Sequence, residues 1–280
     1  MLADYHIHTE FSDDSSEKME HQVQQAIQIG LDEICFTDHV DYGIKLDWDD
    51  SREITYRENH EPLANVDYPK YFEKIRVLKK ANQSEISIKS GLEFGIQTHT
   101  IPQYEQLYKK YHEQLDFVLL SMHQVNDLEF WTGDFMKGRS QKEYNELYYE
   151  EIYEVQKQYK NYSVLAHLDL LSRYDPNGIY PFQNVEDIIA AILKQAIEDK
   201  KGIEVNTSSY HYGLKDTQPS RAILKLYKDL GGKIITVGSD AHSTKYLGDH
   251  IQDTYQILKE EIGFKEICTF ESFIPKFYMI

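Results

Sequence analysis

The sequence predicts an α/β protein built as one distorted parallel barrel of seven strand–helix units. Short apolar runs typical of buried strands alternate with longer segments of helical periodicity along all 280 residues. Histidine and acidic residues recur at or just after the ends of these runs, and strand ends converge on one face of a parallel barrel. No linker, low-complexity tract or composition shift divides the chain, so we treat residues 1–280 as a single domain.

The N-terminal half contains the first four predicted units. We predict strands at 4–8, 33–37, 86–94 and 116–122, with helices at 17–29, 68–81 and 101–112. The first helix has apolar residues at roughly helical spacing, and Gly30 provides a C-terminal stop. Residues 40–66 are polar without a clear period, and a loop of this length in a compact domain is typical of a functional segment or a lid.

The C-terminal half contains the remaining three units. We predict strands at 164–167, 203–206 and 233–237, with helices at 141–159, 185–200, 219–230 and around 252–261. Residues 124–139 form a second irregular loop, and turn-forming residues follow the fifth strand at 175–178. Two doubly wound domains would also alternate strands and helices, but the strand-end motifs extend over the whole chain and therefore favour one barrel.

The composition excludes several classes of partner. Lys plus Arg number 30 against 47 Asp plus Glu, which gives a formal net charge of −17. Such a surface repels phosphate backbones and anionic membranes, so we expect no nucleic-acid partner and no membrane association. The chain shows no signal-peptide pattern and no apolar run long enough to span a bilayer. Cys35 and Cys268 form no Cys-x-x-Cys motif, and we expect both to be reduced packing residues of a cytoplasmic protein.

The most informative feature is the pair His6 and His8 in the first predicted strand. Residues two apart on a strand point to the same side, so both imidazoles can bind one cation. Further motifs follow later strands: Thr37-Asp38-His39, Gly91-Leu92-Glu93, Ser121-Met122-His123, Ala166-His167-Leu168-Asp169 and Gly238-Ser239-Asp240-Ala241-His242. A lone histidine at a strand end is usually a hydrogen-bonded structural residue. Six of them at strand ends favour a multi-metal hydrolytic site. We expect the other histidines to lie on the surface: His21, His60, His99, His112, His211 and His250.

The residue types allow three divalent ions to be held together. Glu93 can bridge two ions because its carboxylate has two oxygens. Imidazole and carboxylate ligands suit zinc, manganese or iron. We expect the first site to contain His6, His8, Glu93 and Asp240, the second Glu93, His123 and His167, and the third His39 and His242 with Asp13 or Asp14.

The order of these motifs resembles that of the polymerase-and-histidinol-phosphatase (PHP) superfamily over essentially the whole chain. The stretch Ser121-Met122-His123-Gln124, the chain length and the long loops also resemble its monofunctional histidinol-phosphate phosphatase branch. The resemblance implies a distorted seven-stranded (β/α)7 TIM-like barrel, with a trinuclear metal centre at the C-terminal ends of the strands and the same ligand allocation. Some members have a histidine in the loop after the first motif. This chain has Asp13 and Asp14 there, so we expect Asp14 to complete the third site.

The implied activity is metal-dependent hydrolysis of a small phosphate monoester. The resemblance implies L-histidinol phosphate as the substrate, in histidine biosynthesis. We expect Glu93, Asp240 and His242 to be catalytic. A hydroxide bridging the first two ions would be the nucleophile, and the third ion would help to neutralise the phosphoryl oxygens. A ligand of the third ion, or a water bound to it, would assist the leaving alkoxide. The alternatives are a phosphoesterase for another small monoester, a metal-dependent amide or lactone hydrolase, or a metal-binding protein without turnover.

Two arginines are candidate phosphate ligands because a guanidinium binds phosphate bidentately. Arg139 ends the second irregular loop, and Arg173 lies six residues after His167. Both resemble phosphate-contacting arginines of the phosphatase branch, and the alternative for each is a surface residue that caps a helix.

Histidinol phosphate also carries an ammonium group and an imidazole ring. Asp41 or Glu17 is our candidate for binding the ammonium group. Trp48 or Trp131 can stack on the imidazole, although a packing role is the simpler expectation for each tryptophan. The sequence does not indicate an oligomeric state.

Overall fold

Strands and helices alternate along the chain as the sequence predicts. The computed structural model describes residues 1–55 and 63–280. Its strands are β1 (Ala3–Ile7), β2 (Glu33–Phe36), β3 (His39–Val40), β4 (Ser87–Gly95), β5 (Phe117–Ser121), β6 (Gln124–Val125), β7 (Leu128–Glu129), β8 (Val164–Leu165), β9 (Gly202–Asn206), β10 (Ile235–Gly238), β11 (Glu266–Glu271) and β12 (Ile274–Met279). Its helices are α1 (Met19–Ile29), α2 (Tyr68–Ala81), α3 (Ile101–Tyr111), α4 (Gln141–Gln158), α5 (Glu186–Glu198), α6 (Arg221–Asp229) and α7 (Ile251–Gln256), and a π-helical turn at Ile257–Ile262 continues α7.

Seven parallel strands form the barrel wall, in the order β1, β2, β4, β5, β8, β9 and β10. The short strand β3 also pairs with β4 and places His39 opposite Glu93. The first and last strands approach each other beyond their ends, where the His8 N–H donates to the Ala241 carbonyl at 3.0 Å. The barrel is therefore nearly closed, and the predicted distorted seven-stranded fold is confirmed. Among the described residues, no helix has the length and apolarity needed to cross a membrane.

Two hairpins were not predicted from the sequence. The irregular loop at 124–139 contains the hairpin β6–β7, whose turn residues Asn126 and Asp127 have φ angles of 53° and 59°. The chain ends in the hairpin β11–β12, whose turn residues Ser272 and Phe273 have φ angles of 49° and 64°. A two-residue turn with positive φ usually contains Asn or Gly, and Ser272-Phe273 lacks that signal.

The C-terminal hairpin packs against the barrel strands. Phe270 is buried and its ring centroid lies 5.1 Å from that of Phe117, which belongs to β5. The Phe270 N–H donates to the Tyr5 hydroxyl at 2.8 Å, and Tyr5 belongs to β1. The hairpin thus joins strands from opposite parts of the barrel and leaves the C-terminal strand ends to the functional residues.

Candidate metal centre

Glu93 occupies the centre of the face where the barrel strands end. Its side chain is fully buried on β4. One carboxylate oxygen, Oε1, lies 2.8 Å from His167 Nε2 and 3.1 Å from His123 Nε2. The other oxygen, Oε2, lies 2.9 Å from His39 Nδ1 and 3.2 Å from His6 Nε2. Each oxygen therefore faces its own pair of imidazoles, which suits a carboxylate shared between two cations.

The first predicted ligand set comes together beside Oε2 of Glu93. His8 Nε2 lies 3.5 Å from that oxygen. The Oδ1 atom of Asp240 lies 3.6 Å from His6 Nε2 and 3.3 Å from His8 Nε2. The ligand atoms of His6, His8 and Asp240 all lie within 4.8 Å of one another. This spacing allows one ion to contact all three side chains.

The second and third predicted sets lie on either side of the first. The second consists of His123 and His167, which converge on Glu93 Oε1 as described above. In the third, Asp14 Oδ2 lies 3.4 Å from His39 Nε2 and 3.2 Å from His242 Nε2. Asp13 is directed elsewhere, because its Oδ1 atom lies 2.5 Å from the Lys45 ammonium. The structure thus places Asp14, and not Asp13, beside His39 and His242.

Among the described residues, several buried atoms of the cluster have no hydrogen bond of ordinary geometry. They are Nε2 of His6 and His8, Nδ1 of His39 and His167, and Oε2 of Glu93. Buried polar atoms almost always have a hydrogen-bond partner, so a group of buried nitrogen and oxygen atoms without one needs an explanation. Imidazole and carboxylate donors of this kind fit divalent ions such as zinc, manganese or iron.

A second layer of polar residues fixes the imidazole rings. Buried Glu204 places Oε1 at 2.6 Å from His6 Nδ1, and its Oε2 accepts a hydrogen bond from the backbone N–H of His167 at 3.0 Å. The Ser12 hydroxyl lies 3.1 Å from His8 Nδ1. His242 Nδ1 lies 3.0 Å from the Asp240 carbonyl. Such contacts hold a ligating ring in one tautomer and orientation. We missed Glu204 in the sequence, although a carboxylate between Ile203 and Val205 in an apolar strand was a signal for it.

Asp41 belongs to this second layer. Its Oδ1 atom lies 2.8 Å from His123 Nδ1, and its Oδ2 accepts from the Lys45 ammonium at 2.7 Å. Burial lowers the pKa of Lys45, but Asp41 and Asp13 raise it above its ordinary value, so the ammonium stays charged. Asp41 therefore orients His123 and is not a free carboxylate for a ligand. Glu17, the other predicted ammonium partner, accepts from the Thr244 N–H and is not part of the cavity wall.

The electrostatics of the cluster depend on close pairing of unlike charges. Burial raises the pKa of Glu93, but the imidazoles of His6, His123 and His39 lower it well below its ordinary value. Burial lowers the pKa of His123, whereas Glu93 and Asp41 raise it to about 9. Without a cation, a proton on His123 therefore helps to balance the carboxylates, whereas burial lowers the pKa of His8 and of His167 below the ordinary value. Cation binding must displace the proton on His123.

The two predicted phosphate-binding arginines differ in position. Arg173 lies in the cavity wall, with Nη2 donating to the Ser208 hydroxyl at 2.7 Å and to Gln218 Oε1 at 2.9 Å. Its guanidinium lies 3.4 Å from Asp240 Oδ2 and stacks 4.2 Å above the Tyr212 ring. Arg139 is not part of the wall of this cavity, and its guanidinium donates to the Phe135 carbonyl of its own loop. The structure thus brings Arg173, but not Arg139, beside the ligand cluster.

The cluster opens into a cavity of about 320 Å³, which is large enough for a small organic ligand. Trp131 is exposed by 55% and forms part of its wall, whereas Trp48 lies in a separate groove. The segment 40–66 contributes Asp41 and Lys45 to the wall, and residues 56–62 of the predicted lid lie outside the described residues. His60 lies there too, and the other predicted surface histidines are exposed: His21, His99, His112, His211 and His250.

The sequence matches a known protein family and a named relative. The family model described as PHP domain matches residues 4–208. The histidinol-phosphatase of Lactococcus lactis subsp. lactis (strain IL1403) is 32% identical over 272 residues, which cover 95% of this chain and 93% of the relative.

Two solved structures share the architecture. A histidinol phosphate phosphatase from Lactococcus lactis, in complex with zinc, L-histidinol and phosphate, has a TM-score of 0.82 and 29% identity, with 98% of each chain covered. A protein from Listeria monocytogenes has a TM-score of 0.73 and 19% identity, with 90% of this chain and 99% of that chain covered. At this lower identity the second likeness shows the fold alone.

The second layer generates a testable prediction. Asp41→Asn removes the charge that orients His123, so we expect metal affinity at the second site to fall by roughly 10- to 100-fold. Competition with a fluorescent chelator measures the affinity, and circular dichroism checks the fold. Asp229→Asn is the matched control because Asp229 is exposed on α6. Unchanged metal affinity in a folded Asp41→Asn protein would contradict the orienting role.

Proposed function

We propose that this chain, which belongs to the PHP domain family, hydrolyses L-histidinol phosphate. The products would be L-histidinol and phosphate, and the reaction would belong to histidine biosynthesis. The observation that carries this proposal is the ligand cluster around Glu93 with the Arg173 guanidinium beside it. A relative with 98% of its chain covered by this one was solved with zinc, L-histidinol and phosphate. We propose three divalent ions for the cluster, with zinc, manganese or iron suited to its donors.

The residues of the cluster determine where the chemistry takes place. Divalent ions held by these ligands would activate water for attack and neutralise charge on the phosphoryl oxygens. Glu93 sets the spacing between the first two ligand groups because each of its oxygens faces one group. Asp240 and His242 lie in the wall of the same cavity. We propose Glu93, Asp240 and His242 as catalytic residues that hold the reacting groups in line.

Arg173 would bind the phosphoryl group. Its guanidinium is already oriented by Ser208, Gln218 and the Tyr212 ring, so little rearrangement is needed when an anion enters. Preorganised charged donors of this kind stabilise the additional charge of a transition state. An amide or lactone has no dianionic group to match this cation, so the position of Arg173 favours a phosphate ester. Phosphate contact by Arg139 stays a prediction, since its side chain lies against Phe135 in this conformation.

The remaining properties fit a small, soluble substrate. The net charge of −17 disfavours nucleic acid as a substrate or partner. Cys35 and Cys268 are both buried and free, which supports our proposal of a cytoplasmic location.

Phosphate release from a panel of small monoesters tests the proposed function. The panel contains L-histidinol phosphate, sugar phosphates, nucleotides and p-nitrophenyl phosphate, each assayed with zinc, manganese or iron. We expect kcat/KM for L-histidinol phosphate to exceed the others by about 100-fold, which corresponds to roughly 2.7 kcal/mol. Glu93→Ala is the inactive control. A flat profile would contradict the substrate, and no phosphate release from any ester would contradict the reaction class.

A second prediction concerns the phosphate-binding cation. Arg173→Ala removes a preorganised charged donor, so we expect kcat/KM to fall by about 100- to 1000-fold. Arg76→Ala is the matched control because Arg76 is exposed on α2 and pairs with Glu73. Steady-state kinetics with L-histidinol phosphate measure both variants, and thermal unfolding checks their stability. A folded Arg173→Ala enzyme with wild-type kcat/KM would rule out the phosphate contact.

A further inference from the structure

In the part of the chain that the structure describes, five carboxylates belong to the wall of the cavity, and four of them have ionic partners. The paired carboxylates are Asp14 with His39 and His242, Asp41 with Lys45 and His123, Glu93 with five imidazoles, and Asp240 with His8 and Arg173. Glu129 is the fifth. Among the residues that the structure describes, its half-buried carboxylate has neither a hydrogen bond nor an ion pair. It is therefore the acidic group of this wall that is available to a ligand.

The hairpin β6–β7 holds Glu129 in a defined place. The Asp127 N–H donates to Gln97 Oε1 at 2.8 Å, and Gln97 Nε2 donates to Asp127 Oδ1 at 2.8 Å. Gln124 Nε2 donates to the Gly95 carbonyl at the end of β4 at 3.0 Å. These contacts tie the turn and the first strand of the hairpin to the barrel.

The residue after Glu129 completes this attachment. Phe130 is 1% exposed, and its N–H donates to the His123 carbonyl at 3.2 Å. The backbone on both sides of Glu129 is thus fixed relative to the ligand cluster. Because this backbone places the Glu129 carboxylate in the cavity wall without a partner among the described residues, the carboxylate is available to a cationic group.

We infer that Glu129 binds the ammonium group of the substrate and makes the enzyme selective for phosphate esters of amino alcohols. The inference rests on the proposed function, in which the phosphoryl group lies at the ligand cluster and Arg173. The ammonium group of L-histidinol phosphate lies on the carbon next to the one that carries the ester, so it must reach the wall close to the cluster. Glu129 offers a full charge there. Trp131, two residues later in the same wall, adds an aromatic surface.

A pair of substrates separates this role from a general effect on activity. One is L-histidinol phosphate, and the other is the same imidazolyl propyl phosphate without the amino group. Glu129→Gln keeps the size of the side chain and removes its charge. We expect kcat/KM for the amine substrate to fall roughly 10- to 100-fold, mainly through KM, because a charge-assisted hydrogen bond is lost. We expect the value for the deamino substrate to change by less than about 3-fold.

Inhibition by the two products gives an independent measurement. In Glu129→Gln, the inhibition constant of L-histidinol should rise roughly 10- to 100-fold, whereas that of inorganic phosphate should stay the same. Glu113→Gln is the matched control because Glu113 is exposed near the end of α3 and is not part of the wall of this cavity. This control should leave both substrates and both products unaffected.

The possible outcomes separate this inference from the proposed function. Wild-type enzyme that releases no phosphate from L-histidinol phosphate would contradict the proposed function itself. If the wild type is active, an unchanged Glu129→Gln enzyme overturns the role of Glu129. Equal losses with both substrates also overturn it, since they would indicate a structural effect.

Discussion

The residues at the C-terminal ends of the barrel strands are arranged around one buried carboxylate, that of Glu93. Glu93 is fully removed from solvent and is surrounded by the imidazoles of His6, His39, His123 and His167. A buried charge is costly unless other charges or hydrogen bonds compensate for it. Strands from around the barrel supply that compensation, because parallel strands bring their C-terminal ends to one face. The ligand cluster therefore depends on the barrel topology, which brings these side chains together.

The side chains around Glu93 divide into layers with different tasks. The inner imidazoles and carboxylates converge on common points, and Glu204, Asp41 and Ser12 hold the inner rings from behind. The outer wall carries the groups that would meet the substrate, including Arg173 and Glu129. Backbone conformation contributes as well: His167 and Asp240 have φ angles of 23° and 55°, uncommon for residues other than glycine. Both follow barrel strands, where the chain turns and directs these side chains into the cavity. Strained backbone of this kind is concentrated at functional sites.

The parts of the structure that follow a local pattern could be predicted from the sequence. Period and apolar runs located the seven barrel strands and placed α2 at Tyr68–Ala81, and strand-end motifs identified the histidines that meet at Glu93. The missed residues act through tertiary position. Lys45 and Glu129 lie in segments that the sequence predicts as irregular loops, where a charged side chain is the ordinary expectation. Lys45 matters because it pairs with Asp13 and Asp41, and Glu129 matters because it has no partner among the described residues. The C-terminal hairpin escaped prediction because its turn lacks the usual residues.

The most direct test of the central claim is anomalous diffraction at the zinc edge from crystals grown with zinc. We predict three peaks in the cavity, two of them about 2.0–2.2 Å from different oxygens of Glu93, with the third between His39, His242 and Asp14. A single peak, or peaks that Glu93 does not contact, would contradict the account in which this carboxylate is shared between two ions.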